Sequence, residues 1–210
     1  MVTIDRLVAA HLNNRQEEKA MDDVSKKIFG TDYKTLNKLL EAHRSKGEKI
    51  VMTSGTFDLF HIGHMRMLAA AKKQGDILVV AVKSDKAAAL KKEDPPVMNE
   101  QYRMETVAYC IPADYVIMVD YDIRRPVKFD FSNTSSFEWL NMFEQAVSTI
   151  HPDVFVHEDN PVITNARKQL FSKYKIQGCV QPRTAGISTT EIIDTIKTRL
   201  LISMQKESNT

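Results

Sequence analysis

Residues 55 to 64 read Gly55-Thr56-Phe57-Asp58-Leu59-Phe60-His61-Ile62-Gly63-His64. Two imidazoles three positions apart at a helix start project the same way. Both can donate to the oxygens of a phosphoryl group as negative charge builds on it. Gly55 lets backbone amides approach an anion, and the opening helix adds partial positive charge. The competing explanations are two surface histidines or half of a zinc site, but zinc wants further ligands and no Cys or His cluster stands nearby.

A second stretch is Arg183-Thr184-Ala185-Gly186-Ile187-Ser188-Thr189-Thr190. A helix beginning at Ser188 offers free amides and hydroxyls, and Arg183 offers a fork for phosphate. Taken alone, this is equally a well-capped helix.

The surrounding pattern must bring these two stretches together. Lys49 to Ser54 reads as a strand and Ile62 to Gln74 as a helix closed by Gly75. Ile77 to Val82 is a continuous apolar run, as in a parallel strand buried on both faces. Asn99 can cap a helix reaching about Cys110. Strands follow at Tyr115 to Val119, Val154 to His157 and Ile176 to Val180, with helices over 137–150 and from Asn160-Pro161. Residues 120–136 lack periodicity. Ser188-Thr189-Thr190-Glu191 is a capping box for a last helix, with Ile192, Ile193, Ile196 and Leu200 expected inward. This alternation predicts a doubly wound parallel sheet of five strands with helices on both faces. Ligands of such sheets bind beyond the carboxyl ends of the strands. The loops after Ser54, Val82, Val119, His157 and Pro182 share that rim. Residues 1–47 read as a helical extension and 48–210 as the main domain.

Composition narrows the class further. The chain has 210 residues, 43% hydrophobic and 27% charged, which suits a soluble globular domain rather than a disordered one. Its longest apolar run is Ile77 to Val82, far short of the ~20 residues that span a bilayer. A formal charge of +2 is too small an excess for a broad nucleic-acid footprint. Cys110 and Cys179 form no metal or redox spacing and read as small buried hydrophobes. The first residues carry Asp5 and no apolar core of secretory length, so the chain reads as cytoplasmic. Neither membrane nor nucleic acid is expected as a partner.

The stretch from Gly55 to His64 resembles the G-T-F-D-x-x-H-x-G-H element of the cytidylyltransferase-like nucleotidyltransferases, a family with a Rossmann-like sheet. The stretch from Arg183 to Thr190 resembles that family's R-T-x-G-I-S-T-T element, which closes over a triphosphate. The resemblance covers about residues 48 to 202. It implies attack of an acceptor's phosphate oxygen on the α-phosphorus of a nucleoside triphosphate, with release of pyrophosphate. It gives His61 and His64 the α-phosphate, Gly55 and Thr56 the cradle, and Lys91 or Lys92 with Arg183 the leaving pyrophosphate. Ser188 and Thr189 hydrogen-bond the outer phosphates. Phe57, Gly63, Asp85, Arg103, Asp114, Thr184, Gly186 and Ile187 complete the implied nucleotide site. Asp58 is expected to order the loop beside the acceptor, and Arg124 to lie in the acceptor's pocket. Mg²⁺ would accompany the triphosphate, and a homodimer is implied.

The donor stays open. The second motif is similar to that of glycerol-3-phosphate and phosphoethanolamine cytidylyltransferases and favours CTP. Their R-Y-V-D-E, however, is matched here only by Asp114 within Ile111-Pro112-Ala113-Asp114-Tyr115. Lys49 to Ser54 and Pro96-Val97 look equally like heptose-phosphate adenylyltransferases, which use ATP. The acceptor is expected to be a small phosphorylated polyol, sugar or amino alcohol. A tRNA synthetase core also carries H-I-G-H, but K-M-S-K-S is missing from this chain. A non-catalytic nucleotide-binding protein is the remaining rival.

Overall fold

The computed structural model describes residues 22–90, 95–122, 124 and 134–208. Its strands are β1 (Ile28–Gly30), β2 (Ile50–Gly55), β3 (Ile77–Lys83), β4 (Tyr115–Val119), β5 (Val154–His157) and β6 (Gln177–Val180). Between them run α1 (Tyr33–Arg44), α2 (Ile62–Lys72), α3 (Asp85–Ala89), α4 (Glu100–Ala108), α5 (Thr134–Ile150) and α6 (Thr164–Tyr174), and α7 (Thr189–Ser208) follows β6. All strands pair in parallel, in the order β1-β4-β3-β2-β5-β6. The fold is the expected Rossmann-like α/β sheet, with six strands rather than five.

The additional strand lies inside the stretch expected to be a helical extension. Its three residues are too short to show a period. Neighbouring atoms hold it instead: the Val116 amide donates to the Lys27 carbonyl at 2.8 Å. Lys27 Nζ donates to the carbonyls of Ala108 and Ala113 at 3.2 and 3.1 Å, a cation at the carboxyl end of α4. The Asp32 side chain caps α1 by accepting from the Thr35 amide at 3.1 Å. Leu36 and Leu40 of that helix are fully buried. The described part of the extension is therefore built into the sheet and its core, and residues 1–21 lie outside the described residues.

Alternate strand residues feed two apolar layers, as a pleated sheet requires. Ile50, Met52, Val79 and Phe155 pack with α1, α5 and α6 on one face, while Val51, Leu78, Val80 and Val156 pack with α2 and α4 on the other. At the far end of α2, Gly75 keeps ordinary negative φ rather than a left-handed cap. Its role is close approach: a Cβ there would meet the Lys49 carbonyl oxygen at 2.8 Å.

Two further expectations are corrected. The inward stripe of the last helix is largely bare: Ile192 and Ile193 are half-buried, but residues 194–207 are all exposed. Asp114 is not at the nucleotide rim. It precedes β4, which places it at the amino ends of the strands. There its carboxylate accepts from the Leu78 amide at 2.7 Å and pairs with Lys72. It fastens the start of β3 to β4. We expect Asp114→Ala to lower the unfolding free energy in urea by about 2 kcal/mol and to leave nucleotide affinity unchanged. Lost affinity at unchanged stability would return Asp114 to the binding site.

Candidate active site

The connections out of β2 and β5 diverge, since β3 lies on one side of β2 and β5 on the other. The crevice at such a switch point is where open α/β sheets take ligands. The loop from Gly55 to His64 rises on its β2 side, and the loop after His157 on its β5 side.

The first loop is strained. Phe57 and Leu59 take left-handed φ of 58° and 42°, which costs a non-glycine residue of order 1–3 kcal/mol unless its surroundings enforce it. Phe57 is buried, with its ring centroid 5.3 Å from that of His64. The Asp58 carboxylate accepts from three amides, those of Leu59 at 3.1 Å and of Val97 and Met98 at 3.0 Å. Asp58 is only 6% exposed, so it orders the loop and does not face an acceptor.

Arg103 and Asp85, both expected to bind nucleotide, are found together beneath this loop. The Arg103 guanidinium is fully buried. Its Nη1 donates to the Thr56 carbonyl at 2.5 Å, Nε to the Met98 carbonyl at 2.9 Å, and Nη2 to Asp85 Oδ1 at 2.6 Å. It supports the Gly55–His64 loop from below, with these hydrogen bonds directed at protein acceptors. The physical reason is its place on the buried face of α4, beside Met104 and Val107.

The histidines form a reciprocal cap at the start of α2. His61 Nδ1 accepts from the Gly63 amide at 3.1 Å, and His64 Nδ1 accepts from the His61 amide at 3.3 Å. An amide directed at Nδ1 requires a lone pair there, so each neutral ring carries its proton on Nε2. The rings stack with centroids 3.9 Å apart. Burial pushes the His64 pKa down to about 4, with His61 adding to the shift. Burial lowers His61 as well. At neutral pH the pair is therefore two uncharged, nearly parallel N–H donors. Gly63 is needed for this stack, because a Cβ would come within 2.9 Å of the His61 ring.

The second motif closes on the first. Thr189 Oγ1 donates to the Asp58 carbonyl at 2.8 Å, and Ser188 Oγ accepts from the Glu191 amide at 3.1 Å to cap α7. Gly186 takes φ of +75°, a turn that glycine permits, just before Ile187. Arg183 is exposed and pairs with Glu158 at 2.7 Å, reaching from the β6 loop to the β5 loop. Thr184 is half-buried in the same turn. Arg124, at the same rim, has an exposed guanidinium paired with Asp122 at 3.1 Å. Lys91 and Lys92 lie outside the described residues. Spacing gave no warning of Glu158, although the switch point marks the loop that carries it.

An open parallel sheet with paired imidazole donors and a capped helix at its switch point places the chain in the Rossmann-like α/β class. The model of the cytidylyltransferase-like family matches residues 52–195, and the chain belongs to that family. Curated relatives include the bifunctional protein HldE of Geobacter metallireducens, 41% identical over 85 residues, covering 40% of this chain and 17% of the relative. HldE of Syntrophotalea carbinolica is 31% identical over 167 residues, covering 79% of this chain and 30% of the relative. The chain thus spans less than a third of the length of these relatives. A crystal structure of pantoate-beta-alanine ligase from Francisella tularensis shares the fold, with TM-score 0.55 and 14% identity, covering 81% of this chain and 76% of that one.

The histidine geometry predicts its own titration. The unfolded chain takes up a proton at His64 near its ordinary 6.5, whereas the folded chain does so near 4. The stability this residue contributes is therefore complete above pH 6.5 and is lost as pH falls through that window. Ring ¹⁵N NMR should find both histidines as Nε2–H tautomers at pH 7 and His64 titrating near 4. A midpoint near 6.5 would refute the buried, neutral pair.

Proposed function

We propose that this enzyme transfers a nucleoside monophosphate from a nucleoside triphosphate to a sugar phosphate and releases pyrophosphate. The observation that carries this reading is the stacked pair of Nε2–H donors at the amino end of α2. A phosphate monoester is already anionic at neutral pH, so no protein nucleophile or base is required. Its oxygen forms the new bond to the α-phosphorus while the bond from the α-phosphorus to the bridging oxygen breaks, and that oxygen leaves with pyrophosphate.

Catalysis then consists of positioning and of stabilising charge on the transferring group. His61 and His64 donate to the α-phosphate oxygens without carrying charge of their own. The Gly55-Thr56 backbone and the amino ends of α2 and α7 supply partial positive charge. Arg183 balances the leaving pyrophosphate once its contact with Glu158 is exchanged for phosphate. When bound, Mg²⁺ would neutralise triphosphate oxygens. Among the described residues no group of three or more His, Cys, Asp or Glu could cage it. Such a site suits an ion that keeps most of its water and is held chiefly by substrate phosphates.

ATP is the donor we favour, and a heptose phosphate or similar sugar phosphate the acceptor, supported by the HldE relatives. The R-T-x-G-I-S-T-T turn at Arg183 to Thr190 supports CTP as the second reading. Pyrophosphate release should be measured with ATP and with CTP, each with Mg²⁺ and a panel of sugar phosphates. We expect turnover with ATP to exceed that with CTP. The reverse order would establish the second reading, and no release with either would refute both. His64→Ala should lower kcat by about 10²–10³-fold, with Tm falling by only a few degrees. Full activity in that variant would remove the histidine pair from the mechanism.

A further inference from the structure

One buried cation at this rim is left unused by this mechanism. Arg167 lies in the first turn of α6, with only 9% of the residue exposed. Its Nη1 donates to the Glu158 carbonyl at 2.8 Å, but the buried Nε has no hydrogen-bond partner among the described residues. The Glu158 carboxylate is engaged by Arg183. Asp159 and Glu158 attract the guanidinium through space, yet among the described residues neither forms an ion pair with it.

Three physical facts make this placement costly. A guanidinium has five N–H groups, and leaving them unpaired in the interior is unfavourable. A cation in the first turn opposes the helix dipole. No acidic residue occupies that turn to compensate. Burial accordingly lowers the pKa of Arg167. On one side the group rests near the Trp139 ring, 5.9 Å from its centroid, which gives it an aromatic floor.

Its position explains what the cost is for. α6 follows β5, the partner of β2 across the switch point, so Arg167 stands at the rim that carries the histidine pair. It approaches that rim from the α5 and α6 face of the sheet, opposite α2. We propose that Arg167 is a phosphate-binding residue of the crevice, its guanidinium receiving a phosphoryl group of a substrate. The proposal rests on the nucleotidyl-transfer reading for the identity of that substrate. The phosphate belongs either to the acceptor's monoester or to the donor's triphosphate, and titration separates the two.

Trp139 is the chain's single tryptophan, so its emission reports on the surroundings of Arg167. The full chain, Arg167→Met and Arg167→Lys should each be titrated with inorganic phosphate, a sugar phosphate, ATP and CTP, by emission and by calorimetry. Arg167→Met should raise the Kd of at least one of these by about 10- to 100-fold, with Arg167→Lys between it and the parent. Weakened inorganic phosphate and sugar phosphate at unchanged nucleotide affinity assigns the acceptor. Weakened nucleotide assigns the donor.

The Tm of Arg167→Met should equal or exceed that of the parent, because an apolar side chain of similar length replaces an under-bonded cation. Unchanged affinities in the variants, whether or not Tm falls, would overturn the proposal, as would no binding to the parent chain. The two readings fail separately. Arg167-dependent phosphate binding without pyrophosphate release from any triphosphate would refute the transferase reading alone. Turnover with KM values untouched by Arg167→Met would refute this site alone.

Discussion

The buried guanidinium of Arg103 is the contact on which the active site depends. It joins the carbonyl of Thr56, the carbonyl of Met98 and the carboxylate of Asp85, segments that come from two successive connections of the sheet. Asp58 works on the same joint from the other direction, taking the amides of Val97 and Met98. Between them the two side chains clamp the loop whose Phe57 and Leu59 hold left-handed φ. Each hydrogen bond to a charged group of this kind contributes about 1.5–3 kcal/mol. That is the same order as the strain those two residues carry, so the clamp is strong enough to hold it. The entry angle of α2, and with it the direction of both imidazoles, follows from this loop.

The clamp makes neutral donors useful. A pair of protonated histidines 3.9 Å apart would repel each other and would each lose hydration in a half-buried site. The structure avoids both costs by giving each Nδ1 a backbone amide, so that the rings stay neutral with the proton on Nε2. Fixed positive charge at this rim comes from Arg183 and from the helix ends, which lie where solvent or Glu158 can balance it.

What was legible in the sequence follows from how local each constraint is. The histidine pair and its glycine were readable because their partners lie within three residues: Gly63 is small to admit the His61 ring, and each amide bond is made inside one turn. The buried run of β3 was readable for a different reason, its unbroken apolar composition. Arg103 and Asp85 were assigned to nucleotide because a charged side chain near a phosphate loop fits either role. Only the tertiary contact reveals that they answer each other. Asp114 could have been placed correctly from topology alone, since a residue preceding a parallel strand sits at the rim away from ligands. The stripe of α7 shows the limit of periodicity, which identifies a face but not whether anything covers it. Strand β1 shows another limit, because three residues have no period and owe their place to Lys27 and Val116.

The same distinction separates the two buried arginines. Arg103 and Arg167 are the same side chain, both withdrawn from solvent, and composition or position along a helix would not tell them apart. Their hydrogen bonds do. Arg103 directs all three of its nitrogens at protein acceptors at 2.5 to 2.9 Å, including a full carboxylate. Its charge and three of its five N–H groups are satisfied inside the chain, the pattern of a scaffold residue. Among the described residues Arg167 has one acceptor, a neutral carbonyl, and an unpaired Nε. Its demand is unmet until something anionic arrives from outside the chain. A fold tolerates the first kind of burial for stability. It has reason to keep the second only where the missing partner is a ligand.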